Sequence, residues 1–348
     1  MFGLLIFLSA SLGLLAKETV GFSGVVLKQI IAGILGFIGM VIASQFQYKK
    51  LKKISFFIFL FSFILTALVF MPGIGIELGG AKRWLLIGPI SVQPAEFLKL
   101  GFIIYFAAWL SSVKQHIHTV EYGFLPMAVI FGSITGLLLA QPNTGILVII
   151  LAAGGAMLFI SGLRFKYILL ITLILIIGLG TLATFRPYIK DRIITFLSLE
   201  SVDALDEGYQ IRQSLIAIGS GGFWGKGFGH GVQKFNYLPE PIGDSIYAVF
   251  AEEFGFVGGV TLIIAFLFFA LIGLTIAARA PDQFSRLLAV GIVILIVAQS
   301  YLSIGAMLGV FPLSGVPVLF VSQGGSALFF TLIEVGILLN ISKYTDHK

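Results

Sequence analysis

Asp244 stands at a junction, between the proline- and glycine-bearing run PEPIG and the apolar run SIYAVFAEEFGF. A carboxylate in such a place can do two kinds of chemistry. At the start of a helix it accepts hydrogen bonds from free backbone N–H groups, a cap worth about 1 kcal/mol. At the outer mouth of a cavity it can take a proton as a general base or hold a cation. The demands pull apart, because a capping carboxylate is stabilised as the anion and is a weaker base. Spacing alone leaves both readings open.

The run before it, GSGGFWGKGFGHG at 219–231, has glycine at seven of thirteen positions. It carries neither nucleotide motif. A phosphate loop needs glycine five places before the Gly225-Lys226 pair, where Ser220 stands, and the G-x-G-x-x-G spacing fails at every start. Glycine permits positive φ and close backbone approach to a ligand. It equally permits a tightly folded loop whose glycines solve only a packing problem.

A second group lies in GGAKRWLLIGPISVQPAEFLKL, residues 79–100. Glu96 and Lys99 are three apart and share a helix face, so a local ion pair and a dipole-complementing carboxylate are one reading. The other has Lys82, Arg83 and Lys99 presenting cations where a phosphate-bearing lipid head group would sit, a task that suits arginine's fork. Glu252, Glu253 and Glu334 fall inside apolar runs. An isolated ion there is costly, so each is expected to be paired within the protein. His230, His116, His118 and His347 are scattered, no dense metal-ligand cluster occurs, and the chain has no cysteine, which excludes disulfides and thiolate chemistry.

These residues must be positioned by membrane helices. The 348 residues are 58% hydrophobic and 11% charged, where a soluble domain is about 25% charged. Ten apolar runs approach the length of about 20 residues that a span needs: 2–16, 26–45, 54–71, 94–112, 123–140, 144–161, 167–186, 245–275, 287–308 and 323–341. The eighth is long enough to be tilted or to begin outside the bilayer. The predicted fold is an all-α polytopic membrane protein, one transmembrane domain over 1–348 with a long loop at about 187–243. The first run lacks a basic leader and is read as a retained span; its short start suggests clipping. Eleven basic residues fall in the short loops of one side against five in those of the other, once the long loop and Arg186 at its edge are set aside. The positive-inside rule then puts both termini in the cytoplasm and the long loop outside. That loop is the only place with room for structure beyond the bilayer. Its Phe223, Trp224, Phe228, Phe235 and Tyr237 predict an ordered segment at the membrane surface. The net charge of +6 sits in short loops and forms no basic stripe interleaved with aromatics, so nucleic acid is not an expected partner. Pro, Gly and Ser in QPNTG (141–145) and FPLSGVPVLFVSQGGS (311–326) mark further breaks. With 219–244 they suggest an outward-opening pocket.

Taken together these segments resemble the SEDS proteins, the RodA/FtsW/SpoVE family. Residues 79–100 look like its N-G-A-x-R-W…Q-P-S-E-F-x-K. The stretch GYQIRQSLIAIGSGGFWGKGFGHGVQKFNYLPEPIGDSIYAVFAEEFGFVG looks like its Y-Q…A-I-G-S-G-G…G-K-G…L-P-E-x-H-T-D…E-E-x-G-F, and GVFPLSGVPVLFVSQGGSALF like its P-x-T-G-x-P-L-P-F-x-S-x-G-G-S. The resemblance implies a peptidoglycan glycosyltransferase, multi-pass in the bacterial cytoplasmic membrane, that polymerises lipid II at the outer face for elongation or division. It assigns the family's essential aspartate to Asp244, as the base that deprotonates the acceptor hydroxyl. Lys82, Arg83, Glu96, Lys99, Lys226, Ser322 and Gly324 fall on matching substrate-cavity motifs. It implies a class B penicillin-binding protein as partner alongside membrane lipids, and leaves room for a divalent cation, Mg²⁺ or Mn²⁺. The chain departs from the pattern at Ile242-Gly243 (for His-Thr), Asn143 (for Asp), Ser303, Leu319 and Gln323. QKFNYLPE leans to the division branch and IRQSLIAIGSGG to the elongation branch. Two other functions fit the same residues: a lipid II flippase, which needs no base at 244, and a non-catalytic scaffold for wall synthesis.

Overall fold

The computed structural model describes residues 2–16, 21–78, 81–88, 90–117, 119–163, 192, 196 and 207–345. The expected span at 167–186 lies outside them. Ten helices are described: α1 (Phe2–Ser11), α2 (Phe22–Gln45), α3 (Tyr48–Ala67), α4 (Pro94–Ser112), α5 (Leu125–Ala140), α6 (Thr144–Ile160), α7 (Glu207–Ser220), α8 (Ile246–Ala278), α9 (Gln283–Met307) and α10 (Gly325–Ser342). Seven helical segments among the described residues are long and apolar enough to cross a membrane, and two shorter apolar helices accompany them. Each falls on an apolar run predicted above. The outward residues of α2 include Leu27, Ile31, Ile34, Phe37 and Ile42. An apolar face turned outward is what lipid requires and water penalises.

Two features were not anticipated. A small antiparallel sheet, β1 (Gly75–Leu78), β2 (Ala81–Ile87) and β3 (Ile90–Val92), fills the connection between α3 and α4. The long loop is therefore not the only part with structure beyond the spans. The sheet forms because Ile87 pairs with Ile90 across a two-residue turn whose first residue, Gly88, has φ 62°, a conformation glycine adopts without strain. The long loop itself contains α7.

The chain divides into two compact units: residues 1–33, 175–268 and 299–325 in the first, and 34–174, 269–298 and 326–348 in the second. In the second, α4 is the central helix, with most of its residues buried. Small residues bring its neighbours close. Gly101 faces Ser62 of α3, and a Cβ at Gly291 would stand 2.6 Å from Ile103 and 2.9 Å from Met157. Phe102, Phe106 and Phe131 form an edge-to-face and stacked cluster between α4 and α5, with centroids 5.1–5.5 Å apart. In the first unit, α1 lies against the 229–234 turn and the first part of α8, where the Ser9 hydroxyl bonds to Glu253 and Lys234.

Candidate active site

Helix α8 starts at Ile246, and the residue that starts it is Ser245. The Ser245 carbonyl accepts the first bonds of the helix, from the N–H of Ala248 (3.0 Å) and of Val249 (3.4 Å). Gln210 of α7 donates to the Ser245 hydroxyl at 3.0 Å. The N-cap position predicted for Asp244 thus belongs to Ser245, because the turn from Glu240 closes one residue later: Gly243 N–H and Ser245 N–H both reach the Glu240 carbonyl. Asp244 sits half-buried one residue outside the helix. Its carboxylate faces Gly315, which holds φ 63°. A Cβ there would lie 3.7 Å from Asp244 Oδ2 and 3.7 Å from Arg192 Nη2. A glycine at 315 therefore satisfies the backbone and keeps a side chain out of the gap between carboxylate and guanidinium.

The other wall of this turn is the 311–324 segment. Gln323 N–H donates to the Ile242 carbonyl at 2.7 Å, two residues before Asp244. Ser322 is buried, its hydroxyl accepting from Val318 N–H at 2.9 Å. Gln29, buried on α2, clamps the segment from both sides: its Nε2 donates to the Ser322 carbonyl (3.1 Å) and its Oε1 accepts from Gly324 N–H (3.2 Å). Ser322 and Gly324 thus hold the segment that supports the Asp244 turn.

Gly255 breaks α8, with φ 66° and ψ −165°. A break leaves carbonyls before it and N–H groups after it without partners, which is costly in a membrane. The glycine-rich loop supplies them. Lys226 and Gly227 donate N–H bonds to the carbonyls of Glu252 and Glu253 (3.0 and 2.9 Å), and the Phe256 and Val257 N–H groups donate to the carbonyls of Gly222 and Phe223 (2.9 and 3.2 Å). Backbone must meet backbone for this, so side chains are excluded. Gly225 has φ 85°, and a Cβ on it would strike the Glu253 carbonyl and come within 2.6 Å of Gly255 N.

The two glutamates of α8 are paired, as expected. Glu252 Oε1 accepts from Lys226 Nζ (2.7 Å) and Val232 N–H (3.0 Å), and Oε2 from Gln233 N–H (3.1 Å). Glu253 Oε1 lies 2.6 Å from Lys234 Nζ, with the Ser9 hydroxyl of α1 at 2.6–2.7 Å from its two oxygens. Lys234 is fully enclosed and also donates to the Gly229 carbonyl at 3.0 Å. Lys226, assigned above to substrate, is the ionic partner of Glu252.

The remaining predicted residues belong to the second unit. Lys82 is exposed on β2. Arg83 Nε donates to the Gln141 carbonyl at 3.2 Å and Nη2 to that of Pro142, joining β2 to the QPN turn. Glu96 and Lys99 are both buried, with Nζ 2.7 Å from Glu96 Oε2. Glu334, buried on α10, is electrostatically coupled to both. An apolar groove of about 340 Å³ runs beside this cluster, lined by residues of α2, α3, α4 and α10 that include Phe97, Leu100, Ile333 and Ile337. Among the described residues no three His, Asp or Glu side chains converge closely enough to hold a metal ion.

Gln29, Ser9, Lys234, Ser245, Arg192 and Gly315 escaped the sequence reading. Most act through contacts distant in sequence, such as Ser9 with Glu253, 244 residues apart; Ser245 did carry a local signal, serine being favoured at helix starts, which the reading gave to Asp244 instead.

Comparison with known proteins yields one consistent result. The family model described as cell cycle protein, FtsW/RodA/SpoVE, matches residues 1–347. The chain is 36% identical over 320 residues to stage V sporulation protein E of Bacillus subtilis, covering 92% of this chain and 87% of that one. It is 37% identical over 341 residues to the probable peptidoglycan glycosyltransferase FtsW of Geobacter sp. strain M18, covering 98% and 93%. Among solved structures it matches the rod shape determining protein RodA of Thermus thermophilus with a TM-score of 0.69 at 25% identity, over 99% of this chain and 96% of that one. A chain from work on a peptidoglycan synthase complex that coordinates polymerization and crosslinking matches with a TM-score of 0.78 at 24% identity, over 100% and 99%, a likeness of fold.

Proposed function

The chain belongs to the FtsW/RodA/SpoVE family and is a multi-pass peptidoglycan glycosyltransferase of the bacterial inner membrane; on that premise we propose that it polymerises lipid II with Asp244 as the general base. The observation that carries the assignment is the position of Asp244, half-buried and one residue outside α8, with its carboxylate toward Gly315. A glycine stands opposite its carboxylate and leaves the approach to it free of a side chain. In the proposed step the acceptor sugar's hydroxyl gives its proton to an Asp244 oxygen. The hydroxyl oxygen forms a bond to the donor's anomeric carbon as the bond to the lipid diphosphate breaks, and the diphosphate carries away the electron pair.

The surrounding structure supports the role by rigidity. The turn bearing Asp244 is tied to α7 through Gln210, to the 311–324 segment through Ile242, and to α2 through Gln29 beyond it. A base held this way loses little freedom in the transition state. In the second unit, Lys82 and Arg83 on β2 have the chemistry for a phosphate head group, and the apolar groove suits a hydrocarbon chain. The outer face as the site of reaction and a class B penicillin-binding protein as partner are part of the same proposal.

The test is glycan-chain formation from labelled lipid II in liposomes, native chain against Asp244→Asn, each with and without the penicillin-binding protein. The isosteric amide keeps the shape and loses the base. Polymer from the native chain only, with lipid II still bound by a folded Asp244→Asn, is the expected result; a fall of at least about 10²-fold fits the usual worth of general-base catalysis. Polymerisation by Asp244→Asn at the native rate would remove Asp244 from the chemistry and revive the flippase and scaffold readings.

A further inference from the structure

The loop that repairs the break in α8 turns its side chains outward. Trp224 is 78% exposed, and Phe223, Phe228, Phe256 and Phe2 are each half exposed or more. These rings form two connected sets. Trp224 meets Phe223 edge-on (centroids 5.0 Å apart), and Phe223 stacks on Phe256 of α8 (5.9 Å). Phe228 meets Phe254 at 6.3 Å, and Phe254 meets Phe2 of α1 at 6.4 Å. Outward aromatic surface of this extent on a folded segment calls for a partner.

We propose that the tip of this loop, residues 222–228, is a wedge inserted into the interfacial layer of the bilayer, with lipid as its partner. Three observations select lipid. First, the patch is continuous with a lipid-facing surface: Phe256 begins the outward face of α8 that runs on through Val257, Ile264, Leu267 and Phe268, within a helix apolar enough to span a membrane. Secondly, the tip carries no uncompensated lysine. Lys226, itself exposed, is bound to the buried Glu252, and the enclosed Lys234, at the base of the loop, to Glu253, so both charges are matched within the protein. A protein-docking surface of usual kind keeps a charged, solvated rim free to meet a partner; here both lysines are already neutralised by glutamates of α8. Thirdly, the residues are those of the aromatic belt, where Trp and its neighbours sit between head groups and chains.

Insertion has a structural consequence. The carbonyls of Gly222 and Phe223 receive the N–H groups of Phe256 and Val257, so the wedge and the helix break are one backbone assembly. The depth of the rings in the interface sets the depth of the break, and with it the height of the half-helix that starts beside Asp244. The proposal concerns the membrane alone and stands whatever the role of Asp244.

The chain has no cysteine, so Trp224→Cys carries a nitroxide label at one place without further changes. The exposure of Trp224 makes the truncation harmless to packing. Collision of the label with oxygen and with an aqueous nickel chelate would be measured in phosphatidylcholine/phosphatidylglycerol proteoliposomes. Phe268→Cys serves as the lipid reference, Glu77→Cys on β1 as the water reference, and Phe228→Cys as a second position in the tip. Expected is an oxygen-to-nickel ratio at 224 and 228 several-fold above that at 77 and below that at 268. A ratio at 224 and 228 equal to that at 77 overturns the proposal. So does shielding that appears only when a penicillin-binding protein is added, since the surface is then a protein-docking site.

Discussion

The Lys234–Glu253 pair offers the most direct probe of how the first unit is held together. Both side chains are enclosed, and Nζ lies 2.6 Å from Oε1. Replacing Lys234 by Met keeps most of the side-chain volume and removes the cation. It leaves the Glu253 carboxylate with the Ser9 hydroxyl and strands the Gly229 carbonyl. Breaking a buried pair from one side costs about 3–5 kcal/mol, because the remaining charge is neither solvated nor matched. The lost bond to Gly229 contributes about 1 kcal/mol within that figure. Glu253→Met alone should cost a similar amount by stranding the ammonium. The double variant Lys234→Met/Glu253→Met removes both charges and should recover most of the loss, since an apolar pair of similar volume is often neutral in place of a buried ion pair. The assay is denaturant unfolding of the detergent-solubilised chain followed by tryptophan fluorescence, with the four proteins forming a double-mutant cycle. A coupling of about 3 kcal/mol or more is expected. If the double variant loses the sum of the two single losses, the groups do not act as a pair and the argument fails.

Other outcomes follow from the same contacts. Gly225→Ala meets the Glu253 carbonyl and demands positive φ of an L-residue, so it should lose about 2–4 kcal/mol from strain and from the Lys226 and Gly227 backbone bonds; Gly219→Ala, with open space and ordinary φ on α7, should be neutral or slightly stabilising in the same denaturant unfolding. Asp282 caps α9, accepting from Ser285 N–H at 2.8 Å and from the Tyr48 hydroxyl at 2.7 Å. Burial pushes its carboxyl up, but the Ser285 and Tyr48 hydrogen bonds and the Lys52 charge outweigh that and hold it below the usual value. A depressed value means that the folded state binds fewer protons than the unfolded one, so the stabilisation is present above the ordinary carboxylate range and lost as pH falls through the folded value. Asp282→Ala should therefore cost about 1–2 kcal/mol at pH 7, and the gap to the native chain should close on acidification below about pH 4, read by melts across pH. Arg83→Lys keeps the charge but cannot bridge the Gln141 and Pro142 carbonyls, and should cost about 1 kcal/mol and speed protease cleavage near residue 142.

Much of the architecture was legible because membrane insertion reads local composition. Nine of the ten apolar runs fall on described helices, while the tenth, 167–186, lies outside the described residues. The candidate base was singled out for a different reason: spacing left Asp244 open between cap and base, and the resemblance of the motif around it to the SEDS family supplied the role. What the local pattern misjudged was the helix start, displaced by one residue because the Glu240 turn, and not the aspartate, decides where α8 begins. It also missed the sheet at 75–92. The strands there are three to seven residues long, and only their pairing distinguishes them from a loop.

By itself the sequence determined that this protein lives in a bilayer, roughly where it crosses, and which few polar residues have chemistry to offer. Transfer of an apolar run into lipid depends on that run alone. Only the tertiary structure decided which ions neutralise one another, that Gly255 breaks α8, and that the glycines at 221–227 exist to let backbone reach that break. Those outcomes rest on atoms brought together from distant parts of the chain. The cost of an unpaired carbonyl or carboxylate in a low-dielectric interior selects them, a cost that no single segment carries on its own.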